Sequence, residues 1–175
     1  MVKMKPMKIF FSGIGGSGVS AIACFMADRG HEIWGSDRAF DTNPNHPVYA
    51  LFKTKGIKIV RQDGNGIDNS FDMAIFSTAV EHNNPEFIKA KSLNIHVKTR
   101  PEFLAQIVSE FKTIAIAGTS GKSTTSGMLA FLMQKLGLET NLIGGGRVKQ
   151  FKTETNPGNS LVGKSERLVI EACES

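Results

Sequence analysis

The stretch KTIAIAGTSGKSTT, residues 112–125, decides the fold of this chain. Its first part, Thr113 to Ala117, alternates β-branched and small apolar residues, which is typical of a buried strand. The four residues from Gly118 to Gly121 predict a tight turn, and the residues after them predict a helix. A strand, a glycine turn and a helix that begins with Lys-Ser are typical of a phosphate-binding loop, because backbone N–H groups and the helix N-terminus both face the anion.

Two side chains of this loop have expected roles. Lys122 would reach the β- and γ-phosphates of a bound nucleotide, and the hydroxyl of Ser123 would ligate Mg²⁺. The general pattern G-x-x-x-x-G-K-[ST] also requires a glycine where this chain has Ile116. The alternative interpretation is therefore an ordinary turn between a strand and a helix, rich in small residues.

The composition is that of an ordinary globular protein, with 175 residues, of which 41% are hydrophobic and 21% are charged. The net charge of +5 comes from scattered lysines and arginines, which favours an anionic small ligand and no nucleic-acid partner. No segment approaches the roughly 20 apolar residues of a membrane span, so we expect no membrane partner and a cytoplasmic location. Cys24 and Cys173 are predicted to be reduced thiols, with no disulfide framework and no metal site.

A second glycine-rich turn lies near the N-terminus. The predicted strand from Lys8 to Ser12 leads into Gly13, Gly15 and Gly18, which fit the pattern G-x-G-x-x-G. Asp37 follows roughly 20 residues later, as in a dinucleotide-binding turn. The glycines would allow a diphosphate to approach the N-terminus of the next helix. The alternative interpretation is a glycine-rich turn that binds no ligand.

The alternation of strands and helices predicts an α/β fold with a parallel sheet covered on both faces. Ligands of such sheets bind outside the carboxyl ends of the strands. We therefore expect the Gly15 turn, Asp37 and the pair Ser77-Thr78 to converge on one ligand. The segment from Arg38 to Pro47 is predicted to be a loop. The pattern restarts near residues 109–112, which predicts a Rossmann-like domain at 1–110 and the start of a P-loop-type α/β ATP-binding domain, expected to be incomplete, at 111–175.

Eight segments of the chain resemble the Mur ligase family, the ATP-dependent ligases of peptidoglycan precursor synthesis. In chain order they are GIGGSGVS at 13–20, GSD at 35–37, STAV at 77–80, NPE at 84–86, RPEFL at 100–104, GTSGKST at 118–124, IGG at 143–145 and EACES at 171–175. The resemblance covers nearly the whole chain, in order and at compatible spacing. It is therefore far more specific than either glycine turn alone.

The resemblance implies two binding sites and a set of catalytic residues. The UDP-sugar site would consist of Gly15, Gly16, Ser17, Gly18, Asp37, Ser77 and Thr78. The ATP site would consist of Gly118, Thr119, Ser120, Gly121, Lys122, Ser123 and Thr124. Lys122, Ser123 and Glu171 would be catalytic, and the last two would ligate Mg²⁺.

The reaction implied by the resemblance is ATP-dependent amide bond formation. The carboxylate of UDP-N-acetylmuramate would become an acyl phosphate, and the amine of L-alanine would displace the phosphate. The implied cofactors are ATP and Mg²⁺, and the implied partners are UDP-N-acetylmuramate and L-alanine. A ligase of the same family that recycles murein tripeptide is the alternative. Because the family's remaining domains are absent, this chain alone is expected to be inactive.

Two functions of other classes stay open at this point. A nicotinamide-dependent dehydrogenase would use Gly13, Gly15, Gly18 and Asp37, but it leaves residues 118–124 unexplained. A non-catalytic nucleotide-binding module would bind nucleotide without any reaction. A GTPase switch is disfavoured, since no guanine-reading N-K-x-D motif follows the phosphate loop.

Overall fold

The computed structural model describes residues 5–43 and 46–172, which form two consecutive sheets with their helices. The strands of the first sheet are β1 (Lys8–Ser12), β2 (Glu32–Ser36), β3 (Lys58–Val60), β4 (Met73–Phe76) and β5 (His96–Thr99). Its helices are α1 (Ser17–Asp28), α2 (Arg38–Thr42), α3 (Pro47–Thr54), α4 (Pro85–Ser92) and α5 (Arg100–Val108).

All strand pairs of the first sheet are parallel, and the strand order is β3-β2-β1-β4-β5. The central strands β1 and β4 are buried on both faces, which parallel strands require. The order reverses between β1 and β4, so a crevice opens at their carboxyl ends, where open α/β sheets bind ligands. The predicted α/β fold with a parallel first sheet is confirmed.

The second sheet consists of β6 (Lys112–Ile116), β7 (Asn141–Ile143), β8 (Ser160–Leu161) and β9 (Arg167–Glu171), with the helix α6 at Lys122–Lys135. Its order is β6-β9-β7-β8, and β8 runs antiparallel to β7 while the other pairs are parallel. The edge strand β6 leaves Ile114 exposed, and α6 leaves Met128 and Leu132 exposed. The β6 edge of this sheet and part of the surface of α6 therefore lack an apolar cover within the described residues.

Helix α1 joins the two sheets. Eight consecutive residues, Val19 to Met26, are buried, because α1 packs against β2 on one side and against β7 and β8 on the other. The apolar core continues from α1 to Ile143, Leu168 and Ile170 of the second sheet. A helix that is apolar all round is expected in such a position. The glycine turn before α1 is therefore fixed relative to both sheets.

Three details differ from the sequence predictions. The strand predicted to be buried at 113–117 forms β6, but β6 is an edge strand and is largely exposed. The predicted loop from Arg38 is wrong for its first five residues, which form α2. Asp37 caps this helix, because its Oδ1 accepts a hydrogen bond from Ala39 N at 2.9 Å. The two-residue strand β8 was not predicted, since two residues carry no periodic signal.

Of the two predicted reduced thiols, the structure describes Cys24. Cys24 is buried in α1, and burial raises the pKa of its thiol to about 12, so it is an unreactive thiol. Cys173 lies outside the described residues.

No helix in the described part of the chain has the length and apolar character needed to cross a membrane.

A buried histidine predicts how stability depends on pH. His31 Nδ1 accepts a hydrogen bond from Met7 N at 3.2 Å, and burial together with Arg29 lowers the pKa of His31 below 6.5. The folded state therefore holds neutral His31, whereas the unfolded chain takes up a proton near pH 6.5. We expect the free energy of unfolding to decrease as the pH falls below about 6.5. Urea denaturation at pH values from about 5 to about 8 should show a smaller decrease for His31→Gln than for the wild type.

The exposed His96 offers a matched control for this prediction. His96→Gln should keep the pH dependence of the wild type. Equal curves for the wild type and His31→Gln would contradict the assigned role of His31.

Candidate functional site

The first glycine turn connects β1 to α1 and contacts the carboxyl end of β2. Gly13 N and Ile14 N both donate hydrogen bonds to Ser36 O, at 2.9 and 3.0 Å. Gly13 has a φ of +76°, and a Cβ at this position would lie 2.8 Å from the Cβ of Ser77. Only glycine is therefore tolerated here, because the turn needs both the left-handed backbone and the close approach of β4.

Asp37 holds the same turn from the other side. Its Oδ2 accepts a hydrogen bond from Gly15 N at 2.8 Å, while its Oδ1 caps α2. A Cβ at Gly15 would lie 2.8 Å from that Oδ2. Both oxygens of the predicted ligand-binding residue are thus engaged by backbone N–H groups, and Asp37 orients the turn.

The N-terminus of α1 is open to an anion. Its N-cap residue is Gly16, which has no side chain that could cap the helix. The first N–H groups of the helix therefore have no acceptor within the described residues, and they carry the positive end of the helix dipole. Ser17, the first residue of α1, is exposed.

Two adjoining cavities lie along this edge. The first cavity, of about 200 Å³, is lined by Gly13, Gly16, Asp37, Arg38, Gln62, Ser77, Ala79 and Val80. The second cavity, of about 210 Å³, is lined by Gly16, Ser17, Gly18, Val19, Ile22, Ser77, Arg100, Leu104, Ile143, Gly144, Gly145 and Glu171. Gly16 and Ser77 line both cavities, so the two adjoin at the glycine turn, and together they are called the cleft below.

The phosphate loop precedes α6 and is exposed. Gly121 adopts the left-handed conformation, with a φ of +75°, and caps α6 without a side-chain bond. Lys122 Nζ folds back over the loop and donates hydrogen bonds to the carbonyl oxygens of Gly118 and Thr119. The amine thus lies above the loop, where the phosphates of a nucleotide would compete for it.

Glu171 ends β9 beside this loop. Its Oε2 accepts a hydrogen bond from Ser123 Oγ at 3.0 Å, and its Oε1 accepts from Ser126 Oγ at 3.2 Å and from Gly146 N at 3.4 Å. The structure thus brings together Ser123 and Glu171, the two predicted Mg²⁺ ligands, although they are far apart in sequence.

The pair of Ser123 and Glu171 fits a magnesium ion in its donor chemistry. A hydroxyl and a carboxylate are hard oxygen ligands, and Mg²⁺ takes one or two such ligands together with water and substrate phosphates. No group of three or more His, Cys, Asp or Glu side chains suited to a metal occurs within residues 5–43 and 46–172. This pair alone could hold Mg²⁺ only together with water and substrate oxygens.

Three residues in or beside the cleft were not assigned a role from the sequence. Gln62 lines the first cavity, and Arg100, the first residue of α5, lines the second. Asn159 is buried and lines neither cavity, but its Nδ2 donates hydrogen bonds to Ser17 O at 3.4 Å and to Ser20 Oγ at 3.2 Å, and Ser17 lines the second cavity. Arg100 lies within the RPEFL segment, whereas neither Gln62 nor Asn159 belongs to a recognisable motif.

The remaining predicted residues have less contact with the cleft. Thr78 is exposed in the turn after β4 and lines neither cavity. Thr119, Ser120 and Thr124 are exposed at the phosphate loop and make no side-chain hydrogen bond to another described residue. Their proposed contacts with ATP stay predictions.

Comparisons with known sequences support one family. The profile of the Mur ligase family, catalytic domain, matches residues 8–112. The UDP-N-acetylmuramate–L-alanine ligases of Caldicellulosiruptor saccharolyticus and Aquifex aeolicus are 37% and 38% identical to this chain, over 95% and 100% of its length. The matches cover 35% and 36% of those relatives, so the chain spans about a third of their length.

Solved structures agree with this assignment. The UDP-N-acetylmuramate–alanine ligase of Thermotoga maritima superposes with a TM-score of 0.81 at 26% identity, over 94% of this chain and 37% of that one. A ligase of Neisseria meningitides that acts on UDP-N-acetylmuramate and L-alanyl-γ-D-glutamyl-meso-diaminopimelate shares the fold, with a TM-score of 0.82 at 22% identity, over 96% of this chain and 53% of that one. The chain therefore belongs to the Mur ligase family.

Proposed function

We propose that this chain carries the sugar-nucleotide site and the ATP-phosphate loop of a ligase that joins L-alanine to UDP-N-acetylmuramate. One observation carries the proposal: the second cavity is lined both by the residues of the first glycine turn and by Glu171, which contacts Ser123 of the phosphate loop. A cleft that leads from a diphosphate-binding turn to a nucleotide–metal site suits a reaction between a sugar nucleotide and ATP.

The diphosphate of the sugar nucleotide would bind at the N-terminus of α1. The free N–H groups of the helix and the Arg100 guanidinium offer complementary charge there. A Cβ at Gly18 would lie 3.1 Å from Arg100 Nη1, so the guanidinium packs against this part of the helix. The uridine would then occupy the first cavity, and the muramate carboxylate would point through the second cavity toward Glu171.

The muramate carboxylate would attack the γ-phosphorus of ATP, with ADP as the leaving group. The amine of L-alanine would then attack the resulting acyl phosphate, form the amide bond and release inorganic phosphate. Ser123 and Glu171 would hold Mg²⁺, which supplies charge neutralisation at the phosphates when it is bound. Lys122 would stabilise the charge of the transferred phosphoryl group by position and electrostatics. Turnover is proposed for a protein with the full length of the relatives, and binding for this chain.

Two other functions have less support. A dehydrogenase would use the first glycine turn but leave Lys122 and the contact between Ser123 and Glu171 without a role. A ligase that recycles murein tripeptide is favoured only by the shared fold, whereas the curated relatives above carry names of L-alanine ligases.

Calorimetric titration of this chain tests the proposed first site. We expect binding of UDP-N-acetylmuramate and no binding of NAD. Ser17→Trp should remove binding of the sugar nucleotide, because an indole at the exposed first position of α1 would fill the second cavity. Ser92→Trp, at an exposed serine at the end of α4, is the matched control and should bind like the wild type. Binding of NAD without binding of UDP-N-acetylmuramate would overturn the ligase proposal.

A further inference from the structure

A buried carboxylate at the carboxyl ends of β1 and β2 has no part in the proposed reaction. Glu86, in the first turn of α4, is fully buried. Its Oε2 accepts hydrogen bonds from Ser12 Oγ at 2.5 Å and from Ser36 Oγ at 2.7 Å. These serines end β1 and β2, the two strands whose carboxyl ends the glycine turn contacts. The pKa of Glu86 is raised above its ordinary value, because the effect of burial exceeds the opposing effect of the two serine hydrogen bonds.

These hydrogen bonds fix the orientation of Gln62. The Ser12 hydroxyl has a single proton, which it donates to Glu86, so it offers only lone pairs to other groups. Gln62 Nε2 donates to Ser12 Oγ at 3.3 Å, and the backbone N of Gln62 is held by Asp41 Oδ2 at 3.1 Å. The amide nitrogen of Gln62 thus points toward Ser12. Its carbonyl oxygen accepts no hydrogen bond from the residues that the structure describes.

The first cavity presents the Gln62 carbonyl oxygen, which has no hydrogen-bond partner among the described residues, together with donors. Each carboxylate oxygen of Asp37 already accepts one hydrogen bond from a backbone N–H group, so the Gln62 oxygen is the less engaged acceptor. Ser77 Oγ accepts a hydrogen bond from Ala79 N at 3.3 Å and keeps its own proton for donation. Arg38 adds a guanidinium, which only donates.

This arrangement of polar groups is complementary to uracil. The pairing edge of uracil has one donor, N3–H, between two carbonyl acceptors. The pairing edge of cytosine has an acceptor at N3 and a donor at its amino group. Opposite N3, the free oxygen of Gln62 would therefore face another acceptor. A site built to accept a hydrogen bond discriminates strongly against a ligand that cannot donate it, because the acceptor is then left unpaired.

We propose that Gln62 selects the base of the sugar nucleotide by accepting a hydrogen bond from uracil N3–H, and that Glu86 positions Gln62 through Ser12. The inference rests on the proposed function, since it places the uridine in the first cavity. It adds the residue that discriminates uracil from other bases and the buried residue that orients it.

Titration of this chain with UDP and CDP measures the selection directly. We expect the wild type to bind UDP at least about tenfold more tightly than CDP. UDP gains the hydrogen bond to Gln62, whereas CDP leaves the Gln62 oxygen unpaired. Gln62→Leu should weaken UDP binding about tenfold and leave CDP binding nearly unchanged, so that the preference is lost. Gln106→Leu on α5, a glutamine outside both cavities, is the matched control and should keep the preference.

Ser12→Ala tests the positioning role of Glu86. Without the hydroxyl, the Gln62 amide is free to turn its NH₂ group toward the base. CDP binding should then tighten while UDP binding weakens, whereas a purely structural defect would weaken both. Equal binding of UDP and CDP by the wild type, or an unchanged preference in both variants, would overturn this inference alone. Failure of the wild type to bind either nucleotide would overturn the proposed function together with it.

Discussion

Glu171→Gln should remove the Mg²⁺ dependence of ATP binding to the phosphate loop. Glutamine keeps the shape and the oxygen acceptor for Ser123 but removes the negative charge that Mg²⁺ requires. We expect ATP affinity in the presence of Mg²⁺ to fall at least about tenfold, to the level that the wild type shows in the presence of a chelator. Calorimetric titration of both proteins with ATP, with and without Mg²⁺, makes the measurement.

The same strand offers a matched control for this prediction. Glu166 directly precedes β9 at its other end, is exposed, and pairs with Lys112 at 2.5 Å. Glu166→Gln should bind ATP and Mg²⁺ like the wild type. If Glu171→Gln retained the full Mg²⁺ effect, Glu171 would be a structural acid that only holds Ser123, Ser126 and Gly146 in place.

Phe103→Ala should cause a large loss of stability. Phe103 is fully buried on α5, and its ring lies edge-on to Phe11 of β1 with a centroid distance of 6.0 Å. Truncation of a buried phenylalanine costs about 3 to 5 kcal/mol through lost burial and the cavity left behind. Urea denaturation measures this loss as a lower midpoint with an unchanged slope.

A second phenylalanine provides the comparison for Phe103. Phe131 on α6 is only half-buried, and the centroid of its ring lies 6.4 Å from that of Phe151. Phe131→Ala should therefore lower the free energy of unfolding by about 1 kcal/mol or less. Because Arg100 begins the same helix as Phe103, Phe103→Ala should also weaken binding of UDP-N-acetylmuramate. Equal losses of stability for the two alanine variants would contradict the assigned position of α5 in the core.

The two glycine turns could be predicted from the sequence because their requirements are local. Each needs glycine in a backbone conformation or a close contact that other residues do not tolerate, directly after a strand and before a helix. The structure places Gly13 and Gly121 in left-handed conformations at such junctions. The resemblance to the Mur ligases also implied that Ser123 and Glu171 share one Mg²⁺, and the structure places their side chains in contact.

The remaining part of the cleft depends on contacts that sequence spacing does not encode. Gln62 acquires its orientation from Ser12, 50 positions away, and Asn159 contacts Ser17 across 142 positions. Asp37 was expected to flank the ligand, but whether its carboxylate is free depends on the backbone N–H groups that face it. Such partners become visible only when the strands are aligned in the sheet.

The central position of β1 has a consequence for the kinetics of folding. β1 pairs with β2 on one side, but its other neighbour, β4, begins only at Met73. Parallel pairing of strands that are far apart in sequence is slow. We therefore expect an intermediate in which β1 and β2 are paired, β4 is not yet paired with β1, and Ser77 does not yet contact the glycine turn. Trp34 on β2, the single tryptophan, contacts Phe71 just before β4, with ring centroids 5.8 Å apart. Stopped-flow fluorescence of Trp34 during refolding would therefore time the closure of the nucleotide cleft, and a Trp34 signal complete before the sheet forms would contradict this order of events.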